Sequence, residues 1–280
     1  MNIRFKQILI PVDFTINTDV AIHHALALAD PYNPVLHLLH VEQATLTSMI
    51  GHTIFPVFNR GGISDMNENI ISNKLDSLKS AIRQERPEVD IAIHLIDGMS
   101  VEDAIINKAM EIVPDLILIA KKSHHDLLPF LNTVVPSRVA QRTRIPILTS
   151  KPGSFHHAIK TIVVPVGKKF PQKKIDIINA LRKKTSLHIR LLALQEDEDS
   201  KQVSDVLIHV YRLLRQEALS DIQYEAINGK NKVRAILSYC KKVEADLLVV
   251  TPGPETRIGW LNKHISDVLP AASKTQVLAI

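Results

Sequence analysis

Phe5-Lys-Gln-Ile-Leu-Ile-Pro-Val-Asp13 decides the fold, because its pattern returns 154 residues later as Ile159-Lys-Thr-Ile-Val-Val-Pro-Val-Gly167. In both places the run is apolar at successive positions rather than at alternate ones. A strand apolar on both sides is covered on both faces, as strands inside a parallel sheet are. Three further blocks recur in the same order. Ile91-Ala-Ile-His-Leu-Ile-Asp-Gly98 resembles Ile222-Gln-Tyr-Glu-Ala-Ile-Asn-Gly229. Val101 to Ala120 resembles Lys232 to Thr251, with Asp115-Leu-Ile-Leu-Ile matching Asp246-Leu-Leu-Val-Val. Arg144-Ile-Pro-Ile-Leu matches Lys274-Thr-Gln-Val-Leu. The offset falls from 154 to 131, so the first copy holds about 23 extra residues between its second and third strands. Gly51, Pro56, Gly61 and Gly62 place them at 42–66, where they break any regular pattern. Ser150-Lys-Pro-Gly-Ser-Phe-His-His157 reads as the loop that joins residues 1–150 to residues 158–280.

The rest of each copy alternates strand and helix. Ile8–Val12, Leu36–Val41, Ile91–Ile96, Leu116–Ala120 and Ile145–Leu148 are short runs rich in Ile, Leu and Val. Helical periodicity is predicted over Thr18–Ala29, with Asn17 or Thr18 as cap, and over Asn67–Arg86, Val101–Val113 and Thr133–Arg142. The second copy repeats it over Lys173–Lys184, Lys201–Ala218, Lys232–Val243 and Lys263–Ser273. Strands alternating with helices of this length make βαβ units. The predicted architecture is α/β: two tandem five-stranded parallel sheets, each sandwiched between helices in a Rossmann-like or flavodoxin-like way.

Composition agrees and removes several classes of function. The 280 residues are 45% hydrophobic and 22% charged, which suits a globular chain with a real core. Only 4% are aromatic, so that core is built from Ile, Leu, Val and Ala. One cysteine, Cys240, excludes an intrachain disulfide and fits a reducing compartment. Met1 to Lys6 lacks an apolar signal core, and no run of about 18 apolar residues occurs, so a cytoplasmic protein without a membrane partner is expected. The net charge of +5 is uneven. Residues 1–152 carry 14 Lys+Arg against 16 Asp+Glu, and residues 153–280 carry 20 against 13. The excess lysines, among them Lys168, Lys169, Lys173, Lys174, Lys183 and Lys184, surround an apolar helical stripe. Beyond Phe170 no aromatic interleaves for base stacking, so a nucleic-acid partner is not expected.

In an open parallel sheet, ligands bind beyond the carboxyl ends of the strands, where the strand order switches. Those ends carry Asp13-Phe-Thr15, Val41-Glu42, Asp97-Gly98 and Lys121-Lys-Ser-His-His125 in the first copy. In the second they carry Gly167-Lys-Lys169, Leu194-Gln195, Asn228-Gly229 and Pro252-Gly-Pro254.

Here the sequence resembles the universal stress protein family in tandem form. The carriers are Ile-Leu-Ile-Pro-Val-Asp-Phe-Thr near the start, the Asp-Leu-Ile-Leu-Ile strand, Gly98 and Gly229 opening the third helix, and Arg-Ile-Pro-Ile-Leu closing the first copy. The resemblance implies five parallel strands per copy, often called adenine nucleotide alpha hydrolase-like, and dimerisation through the last strand. With two copies on one chain, it implies an intramolecular pseudo-dimer of the two domains, with room for a further homodimer.

Some members of that family bind ATP, with the fourth strand ending in Gly-x-x-Gly, nine residues, then Gly-Ser or Gly-Thr. Glycines there let backbone N–H groups and a helix N-terminus approach phosphates. This chain departs from the pattern. Ala120 and Ser123 stand at the Gly-x-x-Gly positions, and Thr133 and Val134 at the Gly-Ser positions. The second copy has Thr251 and Pro254, and Pro254 has no N–H to donate. Asp13 and Val41 match positions that by the resemblance hold base and ribose, whereas Gly167 replaces the aspartate in the second copy. The candidate site is therefore Asp13, Val41, Gly98, Ala120, Lys121, Ser123, Thr133 and Val134, with ATP or AMP as candidate ligand. Lys121 and Lys122 are candidates to supply charge where backbone donors are lost.

Other chemistry finds little support. His23-His24, His124-His125 and His156-His157 lack ligand spacing, since neighbours on a helix do not face each other. Cys240 has no CxxC partner, and neither HExxH nor Gly-x-Ser-x-Gly occurs. No metal site and no catalytic residue is assigned. The insertion at Thr45 to Asp65 carries Met49, Ile50, Ile54, Phe55, Val57 and Phe58, enough apolar surface for a lid over the first cleft or an arm between the copies. Three readings stay open: a non-catalytic stress-response protein with a small ligand or nucleotide in the first copy, an ATP-binding member with slow hydrolysis there, and a purely structural interaction protein.

Overall fold

Leu9 explains why the strands read as unbroken apolar runs. It faces one core while Ile8 and Ile10 face another, and all three are fully buried. The computed structural model describes residues 4–42, 62–121, 134–182, 186–195, 200–216, 221–228, 231–252, 255, 257–258 and 263–280. In the first half the strands are β1 (Gln7–Pro11), β2 (Val35–Glu42), β3 (Asp90–Asp97), β4 (Leu116–Ala120) and β5 (Ile147–Ser150). Helices α1 (Ile16–Leu28), α2 (Gly62–Glu85), α3 (Val101–Ile112) and α4 (Pro136–Thr143) connect them. The second half has β6 (Thr161–Val166), α5 (Gln172–Arg182), β7 (His188–Gln195), α6 (Ser200–Arg215), β8 (Asp221–Asn228), α7 (Lys232–Lys242) and β9 (Leu247–Val250). A two-residue hairpin of β10 (Arg257–Ile258) and β11 (Lys263–His264) follows, and β12 (Gln276–Ala279) ends the chain.

All of these strands except β10 and β11 form one ten-stranded sheet in the order β3-β2-β1-β4-β5-β12-β9-β6-β7-β8. Pairing is parallel within each half. The single antiparallel step is β5 with β12, where Thr149 faces Val277, Leu148 faces Leu278 and Ile147 faces Ala279. Both cores run across this junction. Leu148 and Leu278 lie in the one beneath α1 and α5, and Ile147 and Val277 lie in the one beneath α3, α4 and α7.

The crevice of each half follows from its first strand. β1 pairs with β4 only through Ile8 and Leu9, and β6 pairs with β9 only through Ile162 and Val163. Pro11 and Pro165 then remove an N–H from the ladder, and the two central strands part at their carboxyl ends.

Several boundaries differ from the sequence reading, each for a local reason. The α1 cap is Thr15, whose side chain accepts the Asn17 N–H, rather than Asn17 or Thr18. α4 starts at Pro136 rather than Thr133, with proline in its first turn, where its missing N–H costs nothing. β5 lies at Ile147–Ser150 rather than Ile145–Leu148, because Pro146 precedes it. The helix expected over Lys263–Ser273 is absent. That stretch gives β11, a 3₁₀ turn at Ile265–Asp267 and irregular chain, since Pro270 forbids continuation of a helix. Pro152–Ser154 of the joining loop is itself a 3₁₀ turn. Of the insertion at 42–66, residues 43–61 lie outside the described residues, and α2 already begins at Gly62.

Candidate functional site

Where β1 ends, the chain turns sharply into α1. Phe14 adopts a left-handed conformation at φ 56°. The Thr18 hydroxyl accepts the N–H groups of Asp13 and Phe14 at 2.9 and 3.0 Å and donates to Asp13 Oδ1 at 3.0 Å. The same oxygen accepts from the Thr15 hydroxyl at 2.7 Å and the Thr15 N–H at 3.0 Å, while Oδ2 accepts from the Asn17 amide at 3.1 Å. Asp13 thus organises the first turn of its own helix, where the helix dipole favours a carboxylate. Partial burial, helped by the Asp13 charge, raises the pKa of nearby Asp19.

The strained turn leaves the Phe14 ring half-buried against the core beneath α1. It packs 4.7 Å from the His40 ring and lies 5.3 Å below the Lys74 ammonium of α2. His40 Nδ1 donates to the Val12 carbonyl at 2.9 Å. Beside it, Val41 is buried at the end of β2. Across the edge of the sheet, Asp97 leads to Gly98, whose φ of 75° turns the chain into α3 with no atom near its Cβ position. A 490 Å³ cavity opens between these strand ends and α2, lined by His40, Glu42, Asn69, Ser72, Leu95 and Asp97, among others.

On the other side of the crevice, Ala120 and Lys121 are both buried. The Lys121 ammonium donates to the Val134 carbonyl at 3.1 Å, and the Val134 side chain is fully buried. The α4 N-terminus, where a phosphate would meet free N–H groups, already holds an anion: Glu102 accepts from the Val135 N–H at 2.8 Å and from Arg138 at 2.8 Å. Of the sequence candidates, the structure gathers Asp13 and Val41 on one flank and Ala120, Lys121 and Val134 on the other, with Gly98 at the sheet edge. Ser123 and Thr133 lie outside the described residues, as do Lys122 and His124-His125.

The second half treats the same place differently. Gly167 leaves open space where Asp13 stands in the first half. Lys174, at the position of Val20 in the repeat, sends its ammonium into the crevice. It donates to the Pro165 carbonyl at 2.8 Å and to Glu255 at 2.7 Å, and Glu255 also accepts the Thr251 N–H at 2.7 Å. The Lys174 side chain is 4% exposed, and burial pulls its pKa down against the opposing pull of Glu255. A carboxylate of the chain itself thus occupies the donors at the end of β9.

Sequence reasoning missed Glu102, Phe14, Lys74 and the Lys174–Glu255 pair. Their partners lie 33, 60 and 81 residues away, beyond any local pattern. Elsewhere, no group of three or more metal-binding side chains occurs among the described residues. Cys240 is a buried thiol whose pKa burial raises to about 12. No described helix is long and apolar enough to cross a membrane.

The Pro11 break, the Asp13 turn and two half-sheets of order 3-2-1-4-5 define a Rossmann-like α/β fold. Residues 4–151 match the model of the universal stress protein family, and the chain belongs to that family. Among solved structures, a universal stress protein from Archaeoglobus fulgidus DSM 4304 is similar with a TM-score of 0.64 and 14% identity, over 99% of this chain and 96% of that one. A functionally unknown protein from Pseudomonas aeruginosa PAO1 is similar with a TM-score of 0.60 and 15% identity, over 99% and 92%. The cytoplasmic domain of a prokaryotic cation chloride cotransporter gives 0.54 and 10%, over 98% and 94%. At these identities the likeness is one of fold. No curated protein matches the chain.

Proposed function

We propose that this chain is a non-catalytic binding protein of the stress response, cytoplasmic, with its first half holding an adenine nucleotide or a related small ligand. The second half acts as a degenerate partner that completes an internal pair. The asymmetry of the two crevices carries the reading. In the second half, Lys174 and Glu255 fill the space and use the donors a ligand phosphate needs. In the first half, the corresponding strand ends keep Asp13 and Val41, and His40, which packs against Phe14, lines a cavity of 490 Å³. Such a volume suits a small molecule, for which pockets are about 300–1,000 Å³.

The phosphate end is weaker than the base end. Glu102 already bonds the α4 N-terminus, and its charge repels an anion there. A ligand with less charge at that end is favoured, so AMP is favoured over ATP. Calorimetric titration with AMP and ATP tests this. One site per chain with AMP bound more tightly supports the reading, and no heat with either at high protein concentration overturns its nucleotide part. Phosphate release from ATP under single-turnover conditions would overturn the non-catalytic part.

A further inference from the structure

A second cavity lies at the last turns of α1 and α5, where the linker between the halves passes. Its volume is 420 Å³. Leu28 at the end of α1 supplies one wall, and Leu181 and Leu187 of the second half supply another; all three are buried. Half-buried Ile159 completes this apolar end. His156 and His157 stand exposed at the rim.

The rim is held in place. The Phe155 ring lies 4.9 Å from His23 of α1 and 4.6 Å from His156. Ser154 bonds His24 at 2.9 Å, and the Gly153 N–H donates to the Ala271 carbonyl at 2.8 Å. His156 and His157 also line an adjoining recess of 450 Å³, together with Lys160 and Lys274. The carboxylates of that recess are already engaged. Asp246 accepts the N–H groups of Lys160 and Thr161 at 3.1 and 2.9 Å, and the Lys274 ammonium lies 3.3 Å from Asp246 and 3.7 Å from Glu244. The two cavities share His156, His157 and Ala158, so these residues have an apolar wall on one side and hydrogen-bond donors and cationic groups on the other.

We propose that this junction cavity binds a small amphipathic anion, a carboxylate with an apolar body. The body lies against Leu28, Leu181 and Leu187, and the carboxylate sits among His156, His157 and Lys160. A cation would meet no unengaged carboxylate among the lining residues, and a purely apolar molecule would leave the imidazoles nothing to bond. The site shares no lining residue with the cavity beside Asp97, so it stands independently of the function proposed above.

Decanoate is the probe and decanol its neutral counterpart, each titrated calorimetrically into the full chain. Decanoate is expected to bind once per chain and more tightly than decanol, with excess AMP leaving the titration unchanged. Ala27→Trp places a bulky ring on an exposed rim position without touching a core, and should weaken decanoate binding at least about tenfold, equivalent to 1.4 kcal/mol. The double variant His156→Ala/His157→Ala should weaken decanoate and leave decanol as it was. No heat with decanoate at millimolar concentration would overturn the proposal. So would unchanged affinity in Ala27→Trp, equal affinity for decanol, or displacement by AMP.

Discussion

Lys174 is the residue where the second half departs most plainly from the first. A buried ammonium is tolerated only with close partners, and Pro165 and Glu255 supply them. Lys174→Met should remove the ammonium and strand the Glu255 carboxylate, lowering stability by about 3–5 kcal/mol in urea unfolding. Lys174→Met/Glu255→Gln should recover most of that loss, because no buried charge remains without a partner. Buried histidines add a pH dependence. His24, hidden by burial and set against His23, and His37, hidden by burial and set against His94 and Lys108, both have pKa values lowered to about 4. Their ordinary value is 6.5, so the fold favours the neutral rings. Their contribution is complete above pH 6.5 and is lost as pH falls towards 4. Urea midpoints should drop across that window, and His24→Gln, which keeps a donor for Ser154 and cannot titrate, should flatten the drop. His24 and His37 were visible in the sequence only as letters, since nothing local distinguishes a buried histidine from an exposed one.

At the scale of the element, the sheet was legible and some of its ends were not. Continuous apolar runs located β1, β2, β4, β6 and β9 within a residue or two, because burial on both faces leaves a mark at every position, whereas the partly buried edge strand β3 was located by its Ile and Leu alone. The stretch before β12 misled, as Ile265, Val268 and Leu269 fall at helical spacing while Pro270 forbids the helix. The junction strands show a different kind of information. Ser150 donates to Gln276 across β5 and β12 at 3.0 Å, and both side chains are fully buried. Thr149, on the same strand, buries a hydroxyl with no hydrogen-bond partner among the described residues. Thr149→Val keeps the shape and removes that hydroxyl, so it should raise stability by about 1 kcal/mol in urea unfolding. No change, or a loss, would mean that the hydroxyl is satisfied in solution.

At the scale of the molecule, one sheet and two shared cores tie the halves together. The joining loop is part of this: a Cβ on Gly153 would lie 2.2 Å from the Ala272 carbonyl carbon, so only glycine fits against that backbone. Gly153→Ala should cost about 1–3 kcal/mol through overpacking. Because that contact joins the linker to the stretch before β12, calorimetry should show one transition moved down as a whole, whereas two separate transitions would mean the halves fold independently. By itself, the sequence determined that there are two related α/β units, which strands are buried on both faces, and which residues stand at their carboxyl ends, since hydrophobic period and repeat order are local properties written along the chain. Only the tertiary structure decided that the halves share a sheet through an antiparallel β5–β12 pair, that Glu102 and Glu255 take the donors a phosphate would use, and that a cavity forms at the junction. Each of these depends on groups tens of residues apart meeting in space, and no spacing along the chain encodes such a meeting.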